Sequence, residues 1–392
     1  MADFVYLDHN ATTPPAPEVI EEMTESLSLA WANPSSPHAA GQAARRALVD
    51  ARTRVATFLG CRPADVVFTS GATEANHMAV LGALALGRSS GRRRLVLSAV
   101  EHPGLLALAQ RLENDGTPVD RIPVTARGEL DVAAARRLIE GRDDIALVSV
   151  MGANNETGVC MPTPALAGLA HAAGALFHVD ATQLAGKSML RFEDSGADLW
   201  SVSAHKLHGP KGAGALLVRD GRDWPALLSG RQERHRRGGT ENLPGIVGFA
   251  AAAERAGLTL ADDLAHMAAM QQRLESGLRR VLPGLHLYGD GAPRLPNTTC
   301  LRFGSLGASE VLAKLERAGV LGSSGAACTA SGTQPSHVLM AMGDPPLLAR
   351  AGVRLSLGRD TRPAQIDRAI AAVARAIGPL WQAECAHQRL AA

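Results

Sequence analysis

A chain of 392 residues is long enough for a large cored domain and a smaller one, because single cores stop growing near ~250–300 residues. Forty Lys and Arg face 38 Asp and Glu. The formal net charge of +2 argues against nucleic acid or an acidic membrane as main partner, and leaves room for a small phosphorylated ligand. Aromatic residues make up only 3% while glycines number 40, so small side chains in close helix–sheet contact are expected to build the core.

In chain order, residues 17–30 read as a one-faced helix, 33–38 (NPSSPH) as a turn and 41–59 as a second helix. A short apolar strand follows at 65–69, then SGATEAN and a helix over 74–86, the start of a βα unit. The alternation continues with a strand at 94–98, a helix at 104–114, a strand at 145–150 and a helix at 164–173. Strands are predicted at 176–179, ending at Asp180, and at 199–203 and 214–218. This pattern predicts an α/β fold with a mostly parallel or mixed sheet covered on both faces. Beyond residue 250 the texture changes. A long charged helix over 258–281 reads as a connector. Strands at 298–303 and 354–357 and helices at 309–318 and 363–377 predict a smaller α+β domain.

Several residues sit where an α/β sheet binds ligands, outside the carboxyl ends of its strands. Lys206 follows the strand ending at Ser203, and a lysine there can be desolvated and form a Schiff base with an aldehyde; taken alone, a lysine on an exposed loop is the commoner case. Asp180 ends its own strand and can pair with a ring nitrogen. It can equally cap the next turn. Ala72 and Thr73 open a helix after Gly71, a cradle for phosphate to which Ser203 and His205 can add donors. No GxxxxGK pattern is present, so nucleotide binding gains no support. His102 follows a strand and can stack on a planar ring or move a proton. The stretch 319–337, rich in Gly, Ser, Thr and Ala, reads as a mobile loop, and Cys328 within it is an accessible thiolate nucleophile. Cys61, Cys160, Cys300 and Cys385 read as structural. Five widely spaced cysteines form neither a disulfide framework nor a metal set. Arg354 suits a substrate carboxylate. The first residues carry no signal-like pattern and no apolar run is long enough to span a bilayer, so a cytoplasmic protein is expected.

Together YLDHNATT (6–13), NPSSPH (33–38), FTSGATEAN (68–76), EHPG (101–104), NNETG (154–158), HVDATQ (178–183), SAHKLHGPKG (203–212), RRGGTEN (236–242), SSGAACTA (323–330), PSHVL (335–339) and RLSLG (354–358) resemble, in order, the cysteine desulfurases. These are fold type I pyridoxal-phosphate enzymes of the class V aminotransferase group. The resemblance is to the NifS/IscS-like type, with HNATT and GTEN pointing to nitrogen-fixation members. It implies a large domain (15–257) with a mainly parallel seven-stranded sheet, and a small domain (1–14 and 258–392) carrying the cysteine loop at about 323–332. It implies pyridoxal 5'-phosphate bound covalently at Lys206, with Asp180 on the pyridine nitrogen, Gln183 on the phenolic oxygen and His102 over the ring. Ala72, Thr73, Ser203 and His205 would hold the phosphate, joined by Thr240 from a partner subunit. Asn155 and Arg354 would hold the substrate carboxylate, with Asn33 nearby, and no metal is implied. Cys328 would take sulfur from L-cysteine, leaving L-alanine, and pass it to an acceptor such as an iron–sulfur scaffold protein. A selenocysteine lyase, or another lyase or aminotransferase of the same fold, is the alternative. A homodimer that binds neither nucleic acid nor membrane is expected.

Overall fold

The structure is a computed structural model that describes residues 4–325 and 334–391, the side chains of 385–391 excepted. Its centre is a seven-stranded sheet in the order Val66–Thr69, Gly214–Val218, Leu199–Ser203, Leu176–Asp180, Ile145–Met151, Arg94–Ser98, Val119–Ile122. Only Gly214–Val218 runs antiparallel to its neighbours; the remaining pairs are parallel. Every residue of Ile145–Met151 is buried. Helices on both faces demand this, and it explains why the strand reads as an unbroken apolar run rather than an alternation.

Two elements between residues 115 and 140 escaped the sequence reading. The edge strand Val119–Ile122 has the sequence VDRI and lacks an apolar run. Its Asp120 is neutralised across the sheet by Arg94 at 2.8 Å. The other is the short helix Val132–Ile139, capped by Asp131. The connector is also longer than expected, running Leu243–Val281 over 39 residues. Glycines at its start suggest a break. Instead they allow close approach: a Cβ on Gly248 would lie 2.6 Å from Met23 Cγ of the helix Pro17–Leu29.

That helix buries Phe249–Ala253 against the main sheet and Leu274 and Leu278 in a second core. The second core gathers Val5 and Leu7 with Leu301, Phe303, Val311, Leu355, Ile366 and Val373. It packs on a small antiparallel sheet ordered Ser323–Ser324, Val353–Ser356, Thr298–Arg302, His286–Leu287. The amino-terminal strand Val5–Tyr6 pairs in parallel with Val320–Leu321. The loop expected over 319–337 is therefore narrower: strands occupy its beginning and the helix His337–Ala341 its end. No helix among the described residues is long and apolar enough to cross a membrane.

Candidate active site

All the parallel strands, and Val66–Thr69, end on one edge of the large sheet, and the chain segments leaving that edge line a cavity of about 770 Å³. Asp180, Ser203, His205, Lys206, His102, Asn155, Gln183, Ala72, Thr73 and Arg354 all border it. Ten predicted positions, spread from residue 72 to residue 354, thus meet in one place.

At one end lies the start of the helix Ala72–Gly87. Gly71 precedes it at φ 150°, ψ 179°, a conformation reserved for glycine. Close packing fixes this turn to the sheet, since a Cβ on Gly214 would lie 2.7 Å from Gly71 Cα. The first N–H groups of a helix have no carbonyl partner within it, so they and the Thr73 hydroxyl form an anion cradle. Ser203 borders the same turn. Burial, with Lys206 and Lys211 adding to it, lowers the His205 pKa to about 4, so its imidazole is neutral. Its Nδ1 lies 3.2 Å from the Thr12 hydroxyl.

Asp180 is buried at its strand end. One carboxylate oxygen accepts from Asn76 Nδ2 at 2.7 Å and the other from the Thr182 N–H at 3.0 Å. The carboxylate is thus held rigidly. His102 caps the helix Pro103–Asn114, its Nδ1 accepting from the Gly104 N–H at 3.1 Å. The neutral ring therefore carries its proton on Nε2. Burial holds the His102 pKa below the usual imidazole value, with Asp180 opposing that shift.

Lys206 closes the turn Ala204–Lys206, where Nζ donates to the carbonyls of Asn10 at 2.5 Å and Ala11 at 2.7 Å. Arg354 is buried, donating to Asp8 at 2.7 Å and to the Asn155 carbonyl at 2.9 Å. Gln183 is buried with its Nε2 on the Asn10 carbonyl at 3.1 Å.

Asn33 and Thr240 do not join this group. Both are exposed, and the Asn33 Oδ1 accepts from the Ser35 N–H in a local turn. Cys328 lies outside the described residues. The free cysteines among the described residues are poor nucleophiles: burial raises Cys61 to about 12, Cys160 to about 11, and Cys300 further still.

Sequence reasoning missed Asp8, Asn10, Glu101, Asn76 and Lys187. Glu101 is fully buried with Oε1 on the Met151 N–H at 2.6 Å, and burial, reinforced by Asp180, raises its pKa well above the carboxylate range. Burial thus favours its protonated form beside Asp180. Asp8 and Asn10 stood inside a quoted motif, but only the fold shows what they touch.

The cavity also suits a cofactor. Asn76 Oδ1 and Thr182 Oγ1, on two residues that border it, are buried with no hydrogen-bond partner among the described residues. A rigid carboxylate, a lysine amine and an anion cradle share its walls. This donor set matches a phosphorylated pyridine aldehyde, and pyridoxal 5'-phosphate fits it.

The profile of the class-V aminotransferases matches residues 5–369. A cysteine desulfurase from Cereibacter sphaeroides is 46% identical over 367 residues, covering 93% of each chain. A solved NifS-like protein superposes with a TM-score of 0.87 at 33% identity, over 95% of this chain and 98% of that one. The protein SspA, solved in complex with cysteine, gives a TM-score of 0.78 at 32% identity, over 90% and 99% of the two chains. The ordered site and these likenesses lead to one conclusion: the chain belongs to the NifS/IscS-like cysteine desulfurases of the class-V aminotransferase group, which use pyridoxal 5'-phosphate.

Proposed function

We propose that this protein converts L-cysteine to L-alanine and carries the released sulfur as a persulfide on Cys328. The observation that supports it most is the meeting of Lys206, Asp180 and the Gly71–Thr73 turn at one sheet edge, within reach of Arg354. When bound, pyridoxal 5'-phosphate supplies a reactive aldehyde and a ring that stabilises negative charge at the substrate α-carbon.

The protein's own residues do the rest. The turn 71–73, Ser203 and His205 would hold the phosphate, and Lys206 would anchor the cofactor through its aldehyde carbon. Asp180, held by Asn76 and the Thr182 N–H, keeps the pyridine nitrogen protonated. Once freed, the Lys206 amine would be the base that takes the substrate α-proton. His102, which borders the cavity with its proton on Nε2, would donate and accept protons beside the bound cofactor. Arg354 and Asn155 orient the substrate carboxylate, for which Arg354 exchanges its contact with Asp8. The Cys328 thiolate would attack the substrate sulfur and become a persulfide; the carbon–sulfur bond breaks with its electron pair left on the β-carbon, that carbon takes a proton, and the α-carbon regains the one that Lys206 removed, giving alanine.

We also take the domain division to be 15–257 against 1–14 with 258–392, and the protein to be a cytoplasmic homodimer. Exposure of Thr240 and Asn33 outside their own chain's cavity favours a role for Thr240 in a neighbouring subunit's site. The free thiols Cys61, Cys160 and Cys300 favour a reducing compartment. The acceptor we propose is an iron–sulfur scaffold protein, in nitrogenase assembly. The test is to incubate pyridoxal-phosphate-loaded protein with L-cysteine, then measure alanine and locate the added sulfur by mass spectrometry. Alanine without any oxo-acid and a persulfide at Cys328 are expected; sulfur on another cysteine, or a requirement for an oxo-acid, overturns the proposal.

A further inference from the structure

Lys187 carries a buried amine that none of the steps above uses. Gly186, at φ 72°, turns the chain so that Lys187 points back beneath the site. There its Nζ donates to Gln183 Oε1 at 2.6 Å and to Asn10 Oδ1 at 3.3 Å. It lines a small separate hollow with Lys206 and His208, not the main cavity.

We infer that Lys187 is a positioning residue: it locks the Gln183 carboxamide with its NH2 turned toward the cavity, and so creates the donor for the cofactor's phenolic oxygen. The hydrogen-bond directions carry this. The Asn10 carbonyl can only accept, so the Gln183 atom 3.1 Å from it is the nitrogen. That leaves Oε1 facing Lys187. Asn10 is fixed in the same way, because its Oδ1 accepts from Asn297 at 3.0 Å while its Nδ2 donates to Thr298 at 2.8 Å and the Asn155 carbonyl at 3.2 Å. Lys187 therefore donates to two carboxamide oxygens whatever its charge. The second N–H of Gln183 is left for the cavity. Burial, with Lys206 and Arg354 nearby, pulls the Lys187 pKa well down, which accords with a lysine retained for its donors.

The inference rests on the proposed function and on the contact with the phenolic oxygen that the family resemblance implies for Gln183. A hydrogen bond to the phenolic oxygen favours its ionised form, so losing it raises the pH at which the bound cofactor's absorbance titrates. The experiment is that titration, on loaded wild type, Gln183→Leu, Lys187→Met and the double variant. Gln183→Leu and Lys187→Met should each shift the midpoint upward, by about one unit. Lys187→Met added to Gln183→Leu should shift it no further. If Gln183→Leu leaves the midpoint unmoved, the proposed contact is wrong and the role of Lys187 falls with it. If only Lys187→Met is silent, the contact stands and the positioning role is wrong. Equal shifts by Lys187→Met in both backgrounds mean a direct charge effect, which also overturns it. Should Lys187→Met fail to fold, Lys187→Leu is read in the same two backgrounds with the same outcomes.

Discussion

The two sides of the cavity are built differently. The floor comes from strand ends and the turns directly after them: Asp180, Ser203, Lys206, His102 and the Gly71–Thr73 turn. Each sits at or just after the end of its own strand, on a sheet buried on both faces. The rim comes from distant segments. Asp8 meets Arg354 across 346 positions, and Asn10 meets Asn297 across 287. The floor is therefore stiff, since moving it means moving the sheet. The rim depends on how the amino terminus, the loop after Met151 and the small sheet come together. We expect floor substitutions to disable cofactor chemistry and rim substitutions to change substrate handling.

The sharpest break of this contrast is Lys206→Ala. Turnover should fall by at least ~10³-fold, and borohydride should no longer fix the cofactor to a peptide. Fixation at a different lysine sinks the assignment. Next is Cys328→Ala, which should retain the cofactor and its absorbance yet lose alanine release from L-cysteine by ~10²-fold or more. Wild-type turnover in this variant removes Cys328 from the mechanism. Asp180→Ala should slow α-proton exchange by ~10²-fold while loosening the cofactor less. An unchanged exchange rate counts against its place on the ring nitrogen.

Arg354→Gln tests the rim. It should raise KM for L-cysteine roughly 10- to 100-fold, the worth of a charged hydrogen bond, with the cofactor spectrum unchanged. A collapse of the spectrum instead makes the rim part of the cofactor cradle and erases the contrast.

The smallest effect concerns acid. His9 and His208, at the rim's foot, and His205 on the floor all have pKa values lowered to about 4, first by burial. Unfolded histidines titrate near 6.5. Between those values the unfolded chain binds protons that the folded chain does not, so stability rises with pH across the window and is lost as pH falls through it. Tm should drop by at least about 5 °C on going from pH 6.5 to pH 4. His9→Gln, in the turn after the first strand with Nδ1 at the Ser356 carbonyl, should flatten part of that slope. A Tm independent of pH in this window contradicts neutral burial.

Most of the floor was legible in the sequence for a physical reason. Strand ends such as HVD and SVS are marked by an apolar run that stops at a polar residue, and the Gly71 turn announces itself by a glycine no other residue can replace. Without the family resemblance those marks still left Lys206 and Asp180 with bland readings, because a loop lysine and a capping aspartate look the same in one dimension. The rim was not legible locally. Nothing around Asp8 shows that it will face Arg354, and Lys187 reads as one more lysine after a glycine. Its burial follows from Gly186 and from the acceptors of Gln183 and Asn10, which sequence neighbours cannot reveal. The edge strand Val119–Ile122 was hidden because its polarity is neutralised only once Arg94 lies beside it.

The pairing of Val5–Tyr6 with Val320–Leu321 bears on how the protein is made. The first strand leaves the ribosome long before its partner exists. Until then Leu7 has no core to enter, and the Asn10 and Ala11 carbonyls cannot present themselves to Lys206. Contacts this remote are slow to close, and domains tend to mature from the amino terminus during synthesis. Here the earliest residues must wait for nearly the last ones. The large sheet can assemble while the nascent chain is still growing, but the finished pocket waits for residues as late as Arg354. A chain terminated before residue 320 should acquire the sheet and none of the rim, which makes competent loading with cofactor a late checkpoint in biogenesis.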